Sequence, residues 1–250
     1  MSPSSALRLV TYNMGMGGSR NPDLWARLLP ALAPDLLFTQ ESRDPAQYWP
    51  GGSWLCEAVP SHRWGTGLWV RDGASFTPLS VPMDFAGRVV AAVVEGLAWP
   101  EVGVSPVAAF SIHAPTRRGS SYVKEVGRIL DFAPSLAEGL PLVLAGDFNV
   151  AAGTRGPGHL PVLSRGETAL LERMRDELGL IPCWQTAHPG EPLARTLRWM
   201  RRADSLPYHC DGIFIPAAWA SALRDCTVFE DDDWSAVSDH NPVAVTLSAL

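Results

Sequence analysis

The chain has 250 residues, 46% hydrophobic and only 18% charged, which excludes intrinsic disorder and allows a sizeable core. Acids outnumber bases 26 to 20, a net charge of −6. That excludes a protein coating nucleic acid through bulk charge, although a local basic cleft stays open.

Along the chain, short β-like runs alternate with amphipathic helices. Leu7–Met14 alternates and then breaks at Gly15, Gly17 and Gly18, as a strand entering a loop does. Asn21-Pro22-Asp23 supplies an N-cap, a first-turn proline and a first-turn acid. Leu24, Trp25, Leu28, Leu29 and Leu32 then form one apolar stripe, and Pro34 is expected to stop the helix. Asp35–Glu41 reads as a strand with a carboxylate at its C-terminal end. From Ser53 to Ile112 the pattern is β throughout, punctuated by Gly, Pro and Asp. A helix is predicted over Ser121–Ala133, ended by Pro134. Pro141–Asn149 is a continuous apolar run closing on polar residues, the pattern of a buried strand. Ser164 and Glu167 spell a capping box for a helix that Gly179 ends. The remainder shows two clear strands, Cys210–Ile215 and Val243–Leu247. No linker or repeat interrupts residues 1–250, which read as a single α/β domain.

No apolar stretch reaches the roughly 18 residues of a membrane span, and Met1 to Leu7 lacks the pattern of a secretion signal. Cys56, Cys183, Cys210 and Cys226 share no C-x-x-C spacing, so reduced thiols in a cytoplasmic protein, expected to be a monomer, fit best.

Chemistry concentrates where strands stop. Asn13 follows one strand, Glu41 ends the next, and His113 ends a third. Asp147 and Asn149 close a fourth, and Asp239-His240 precede a fifth. In α/β sheets, ligands gather at strand ends. Carboxylates and amides suit a hard cation such as Mg²⁺ or Mn²⁺. Nearby histidines contact phosphate oxygens or exchange protons, and together these groups describe phosphoester hydrolysis.

Gly146-Asp147-Phe148-Asn149 and Ser238-Asp239-His240-Asn241-Pro242 resemble two hallmark motifs of the endonuclease/exonuclease/phosphatase superfamily. Thr11-Tyr12-Asn13, Gln40-Glu41 and Cys210-Asp211-Gly212-Ile213-Phe214 agree with it in order. The resemblance implies a four-layered α/β sandwich, two packed mixed β-sheets flanked by helices. It also implies a metal-dependent hydrolase. By position, Glu41 resembles the principal metal ligand, supported by Asn13 and Asp239. Asp147 resembles the residue that orients or deprotonates the attacking water, and Asn149 a ligand to the scissile phosphate. His240 resembles the phosphate-contacting histidine held by a carboxylate, here Asp211. His113 matches a position where members carry histidine or tyrosine. The pattern departs in one place, because Arg63–Leu68 lacks the acid with which deoxyribonuclease-like members support their first histidine.

Each residue alone has a plainer reading as a turn, cap or solvated strand end. The five pieces in order outweigh those readings. Arg117 and Arg118, after His113, are expected at the cleft mouth, where Arg117 would meet phosphate oxygens. Arg195, Arg198, Arg201 and Arg202 surround Trp199 and read as a surface loop or a polyanion grip. Glu230–Asp233 reads as a solvated acidic loop. The expected partner is a small or single-stranded phosphoester. A DNA or RNA nuclease and a non-catalytic phosphoester-binding module are the alternatives.

Overall fold

The computed structural model describes residues 6–44, 49, 51–100, 106–153, 163–198 and 208–248. Among them the strands run β1 (Ala6–Asn13), β2 (Leu36–Ser42), β3 (Ser53–Ala58), β4 (Gly65–Val70), β5 (Ser75–Leu79) and β6 (Val89–Glu95). They continue as β7 (Val107–His113), β8 (Leu142–Asp147), β9 (Leu180–Pro182), β10 (Asp211–Pro216), β11 (Leu223–Val228) and β12 (Val243–Ser248). They form two six-stranded mixed sheets, ordered β11-β12-β1-β2-β4-β3 and β5-β6-β7-β8-β10-β9. The pairs β1/β2 and β7/β8 are parallel, and the other neighbours are antiparallel.

Strand periodicity builds the layers. Alternate residues Leu7 and Leu9, Leu36 and Phe38, and Val243, Val245 and Leu247 point from one sheet into the gap. Val107 and Ala109, Val143 and Ala145, and Ile213 and Ile215 meet them from the other. The intervening residues face outward and are covered by helices. Phe110, Ile112, Leu142 and Leu144 lie under Val126, Ile129, Leu130 and Leu170. Val10, Tyr12 and Leu37 lie under Leu24, Trp25, Leu28, Leu29 and Leu32. Each fully buried aliphatic side chain contributes about 1.5–3 kcal/mol, so these three apolar layers hold the sandwich together. This is the four-layered arrangement expected of the family resemblance.

Pro34 follows the end of its helix as expected, whereas Pro134 departs from the sequence expectation. The Asn21 side chain accepts from the Asp23 N–H at 3.0 Å, as an N-cap should. The helix then opens into a π turn at Leu24–Leu28, where the Leu29 N–H reaches the Leu24 carbonyl, before the α-helical turn Leu29–Leu32. Pro30 sits in that turn, and the wider upstream ring gives its pyrrolidine room that a regular helix denies. Left-handed Ala33 ends the helix, one residue before Pro34. Pro134 does not end its helix, which runs Tyr122–Ala137 from a Ser121 cap to left-handed Glu138. Burial of Ala133 and Ala137 on either side of the proline outweighs the lost hydrogen bond. The Ser164–Glu167 capping box is present on helix Arg165–Asp176, and Gly179 takes a positive φ just beyond it. Glu230–Asp233 is not simply a solvated loop, because Asp231 caps helix Asp232–Val237 by accepting from the Trp234 N–H. No helix among the described residues is long and apolar enough to cross a membrane. The four cysteines are free thiols.

Candidate active site

The inward columns that make the core change character at one end of the gap. Along β1 the series Leu7, Leu9 continues as Thr11 and Asn13, and along β7 Val107, Ala109 continues as Ser111 and His113. Along β8 Val143, Ala145 continues as Asp147. A polar seam separates core from cleft. The Gln40 amide donates to Ser111 Oγ at 3.0 Å across the two sheets, and Ser111 Oγ donates to the Thr39 carbonyl at 3.2 Å. Beyond the seam, strand register sets the site. His113 pairs with Asp147 across β7/β8, and Asp147 pairs with Asp211 across β8/β10. Three residues far apart in sequence therefore share one rung.

Two backbone devices aim the flanking groups. The β2/β4 register shifts between Thr39 and Ser42, and Glu41 has a φ of 51°. A bulge of this kind re-aims a side chain, and here it turns Glu41 into the cleft. Gly146 has a φ of 142°, and a Cβ there would lie 1.9 Å from the Ile112 carbonyl oxygen. Only glycine lets β8 approach β7 closely enough to set the His113–Asp147 rung.

Asp147 is the hub. Its Oδ2 accepts from Asn13 Nδ2 at 2.9 Å and Asn149 Nδ2 at 3.2 Å, and its Oδ1 accepts from the Asn149 N–H at 2.9 Å. Asn149 is left-handed, with φ 52°, a conformation asparagine tolerates well. Burial raises the Asp147 carboxyl above the usual carboxylate range, and neighbouring Asp211 adds to the rise. His240 Nδ1 lies 2.8 and 3.0 Å from the two Asp211 oxygens, and its Nε2 lies 3.9 Å from Asp147 Oδ2. Burial alone would lower His240, but Asp211 and Asp147 outweigh it and push the ring up to about 10. His113 is the opposite case, because burial holds it down to about 4. Its 3.6 Å contact with Glu41 is therefore no ion pair at neutral pH.

The loop carrying Asp239 and His240 is clamped from behind. Arg198 donates to Asn241 Oδ1, to the Ser238 carbonyl at 2.6 Å and weakly to the His240 carbonyl at 3.4 Å. Ser238 Oγ donates to the Asn13 carbonyl at 2.9 Å, tying this loop to β1. Arg198 is buried, 9% exposed, so it belongs neither to a surface loop nor to a polyanion grip. Arg201, Arg202 and Trp199 lie outside the described residues. Arg117 reaches Glu125 at 3.2 Å and Asp84 at 3.3 Å, so carboxylates already occupy its guanidinium. Sequence reasoning missed Arg88, whose Nη1 lies 3.1 Å from His113 Nδ1. No motif contains it, and its only signal was a charged residue opening the apolar run Val89–Val94.

Two groups could hold a cation. Glu41 and Asp239 offer hard oxygen donors, and Asn13 adds only the remaining lone pair of its Oδ1, which accepts from the Gly15 N–H at 3.0 Å. Glu41 is raised chiefly by burial, with Asp147 and Asp239 adding like charge. That excess of negative charge fits Mg²⁺ or Mn²⁺. The second group is Asp147, Cys210, Asp211 and His240, whose candidate ligand atoms all lie within 4.8 Å of one another. Its thiol is a soft donor, and both Asp211 oxygens already face His240 Nδ1.

Comparison with known proteins agrees with this geometry. A family model described as the endonuclease/exonuclease/phosphatase family matches residues 10–240. No curated protein matches the sequence. Among solved structures, AP endonuclease LMAP from Leishmania major is similar with a TM-score of 0.72 at 17% identity, covering 100% of this chain and 90% of that one. An AP endonuclease from Archaeoglobus fulgidus has a TM-score of 0.68 at 19% identity, covering 96% and 99%. The 3′ phosphatase NExo from Neisseria, bound to product DNA hairpin, has a TM-score of 0.67 at 23% identity, covering 97% and 99%. With the two-sheet fold, the strand-end site and a match that runs from β1 through Gly146–Asn149 to His240, the chain belongs to the endonuclease/exonuclease/phosphatase family.

Proposed function

We propose that this protein is a divalent-cation-dependent hydrolase of phosphoester bonds, acting on a small or single-stranded phosphoester. The observation that carries the reading is the His113–Asp147–Asp211 rung, facing Asn13, Glu41 and His240 in one cleft. Glu41, Asn13 and Asp239 would hold the cation, which when bound supplies Lewis-acid polarisation of a phosphoryl oxygen. We place it there and not at Asp211, because a cation at Asp211 would break the His240–Asp211 hydrogen bonds.

In this reading Asp147 accepts the proton of the attacking water. Its raised pKa suits a base, and three donors hold its carboxylate in one orientation. Among the described residues Oδ1 accepts from the Asn149 N–H alone, which leaves a lone pair for water. His240, kept cationic by Asp211, presents Nε2–H to a phosphate oxygen and stabilises charge developing there. Asn149 contributes its amide to the same phosphate, exchanging its 3.2 Å bond to the Ala114 carbonyl for it. His113 is neutral and serves as a hydrogen-bond partner on the opposite wall.

The net charge of −6 favours a compact or single-stranded substrate over long duplex DNA. The test is turnover of bis(p-nitrophenyl) phosphate, p-nitrophenyl phosphate, single-stranded DNA and duplex DNA with Mg²⁺, Mn²⁺ or EDTA. Metal-dependent release from the small esters or the single strand is expected. Preference for duplex DNA would favour the nuclease reading, and phosphate binding without turnover would mark a binding module.

A further inference from the structure

We propose that Arg88, and not the arginines that follow His113, grips a non-bridging oxygen of the substrate phosphate. This rests on the reading of the cleft as a phosphoester site. Arg88 is half-buried on the cleft wall, between helix-like turn Met83–Phe85 and β6. Its guanidinium carbon lies 4.7 Å from the Trp64 ring centre, and its Nη1 lies 3.1 and 3.5 Å from the two His113 nitrogens. A neutral imidazole accepts one hydrogen bond, whereas a guanidinium carries five N–H donors. Among the described residues, no carboxylate pairs with Arg88 and no acceptor but the His113 ring takes a bond from it.

That is unlike the other arginines on this side. Arg117 and Arg128 both lie against Phe85, and both are held by Asp84 and Glu125. Glu41 and Asp147 attract Arg88 across the cleft without reaching ion-pair distance. A desolvated cation with spare donors, beside His113 and within the field of Glu41 and Asp147, is matched by an oxyanion. A phosphate oxygen is the oxyanion this cleft would contain.

The position is also preorganised. The Arg88 carbonyl accepts from the His113 N–H at 2.8 Å, fixing the backbone to β7. Gly87 has a φ of 67°, and its carbonyl accepts from Thr66 Oγ1 at 3.0 Å. A Cβ at Gly87 would lie 2.3 Å from the Val59 nitrogen, so the segment is pressed against the end of β3. Trp64 then supports the side chain, and little ordering remains when a ligand arrives.

The experiment measures inorganic phosphate binding by calorimetry, with Mn²⁺ present, in the full chain and in Arg88→Met, Arg88→Gln and Arg88→Lys. A charged fork contacting phosphate predicts roughly ten- to hundredfold weaker binding in Arg88→Met and Arg88→Gln. Arg88→Lys should recover part of it, as a point charge without the fork. With a small ester as substrate, KM should rise in the same order. A loss of phosphate affinity under threefold in folded Arg88→Met overturns the proposal. So does wild type that binds no phosphate, or failure of all three variants to fold, which would mark Arg88 as structural. Because binding is read without turnover, a wild type that binds phosphate yet hydrolyses nothing would refute the hydrolase reading and leave Arg88 testable.

Discussion

His113 and His240 lie on either side of Asp147, each 3.9 Å from the same carboxylate oxygen, yet their surroundings push them in opposite directions. His240 has Asp211 against its Nδ1, whereas at His113 burial dominates and the Arg88 guanidinium beside the ring adds to it. In the metal-free protein, ring signals followed by NMR should show His113 titrating near 4 and His240 near 10. The linkage signs differ. His240 binds its proton more tightly when folded, so its contribution to stability is complete below about pH 6.5 and disappears as pH rises to about 10. His113 binds its proton more weakly when folded, so its term makes stability rise with pH between about 4 and the ordinary value of 6.5. Asp211→Asn should bring the His240 midpoint down towards the usual histidine range, and an unmoved midpoint would show that Asp211 is not what holds the charge. Asp147→Asn makes a different demand. Its new NH₂ must face a donor, either the Asn149 N–H or the two amides at Oδ2, costing about 1–3 kcal/mol. Removing a buried charge next to Asp211 offsets this, so stability should change by under ~2 kcal/mol. Turnover should fall at least ~100-fold, the scale on which a general base contributes.

Strand ends carry the site because of how β7, β8 and β10 lie together, and Gly146 is where that arrangement is most exposed to change. Gly146→Ala would drive a methyl into the Ile112 carbonyl in a backbone conformation that alanine resists. We expect a loss above ~3 kcal/mol in urea denaturation, well beyond an ordinary surface change. A loss under 1 kcal/mol, on the scale of ordinary surface changes, would show that the strands separate easily there. The sequence made this region legible, since an apolar run ending in GDFN announces a buried strand that terminates in chemistry. It also exposed the stripe Leu24, Trp25, Leu28, Leu29 and Leu32, all of them buried. What it concealed were features owed to distant partners. β11 carries Arg224 and Asp225 on an edge, so its pattern is that of a loop until β12 pairs with it. β9 has three residues, too few for a period to show. Arg198 looked like one of four surface arginines because its partners, Ser238, His240 and Asn241, come forty residues later. Pro134 read as a stop because local propensity says nothing of the burial of Ala137.

At the scale of the whole molecule, apolar layers lock the sheets over most of the gap, and buried carboxylates crowd together at the end where the site lies. A cation that bridges those carboxylates should therefore stabilise the entire fold. At 100 times its Kd, a ligand specific for the folded state adds about 2.7 kcal/mol. For a chain of this length that corresponds to about 5–10 °C in the unfolding midpoint. Mn²⁺ should produce such a shift in wild type, and Glu41→Gln should abolish most of it. A shift surviving in Glu41→Gln but lost in Asp211→Asn would move the cation to the Cys210–Asp211 side. The most direct test of the account is cleavage of bis(p-nitrophenyl) phosphate in ¹⁸O-labelled water with Mn²⁺, followed by ³¹P NMR of the product. Activated water attacking phosphorus predicts one ¹⁸O in the p-nitrophenyl phosphate formed, with turnover abolished by EDTA and nearly so by Asp147→Asn. Label in the nitrophenol instead, or undiminished turnover in Asp147→Asn, would contradict it.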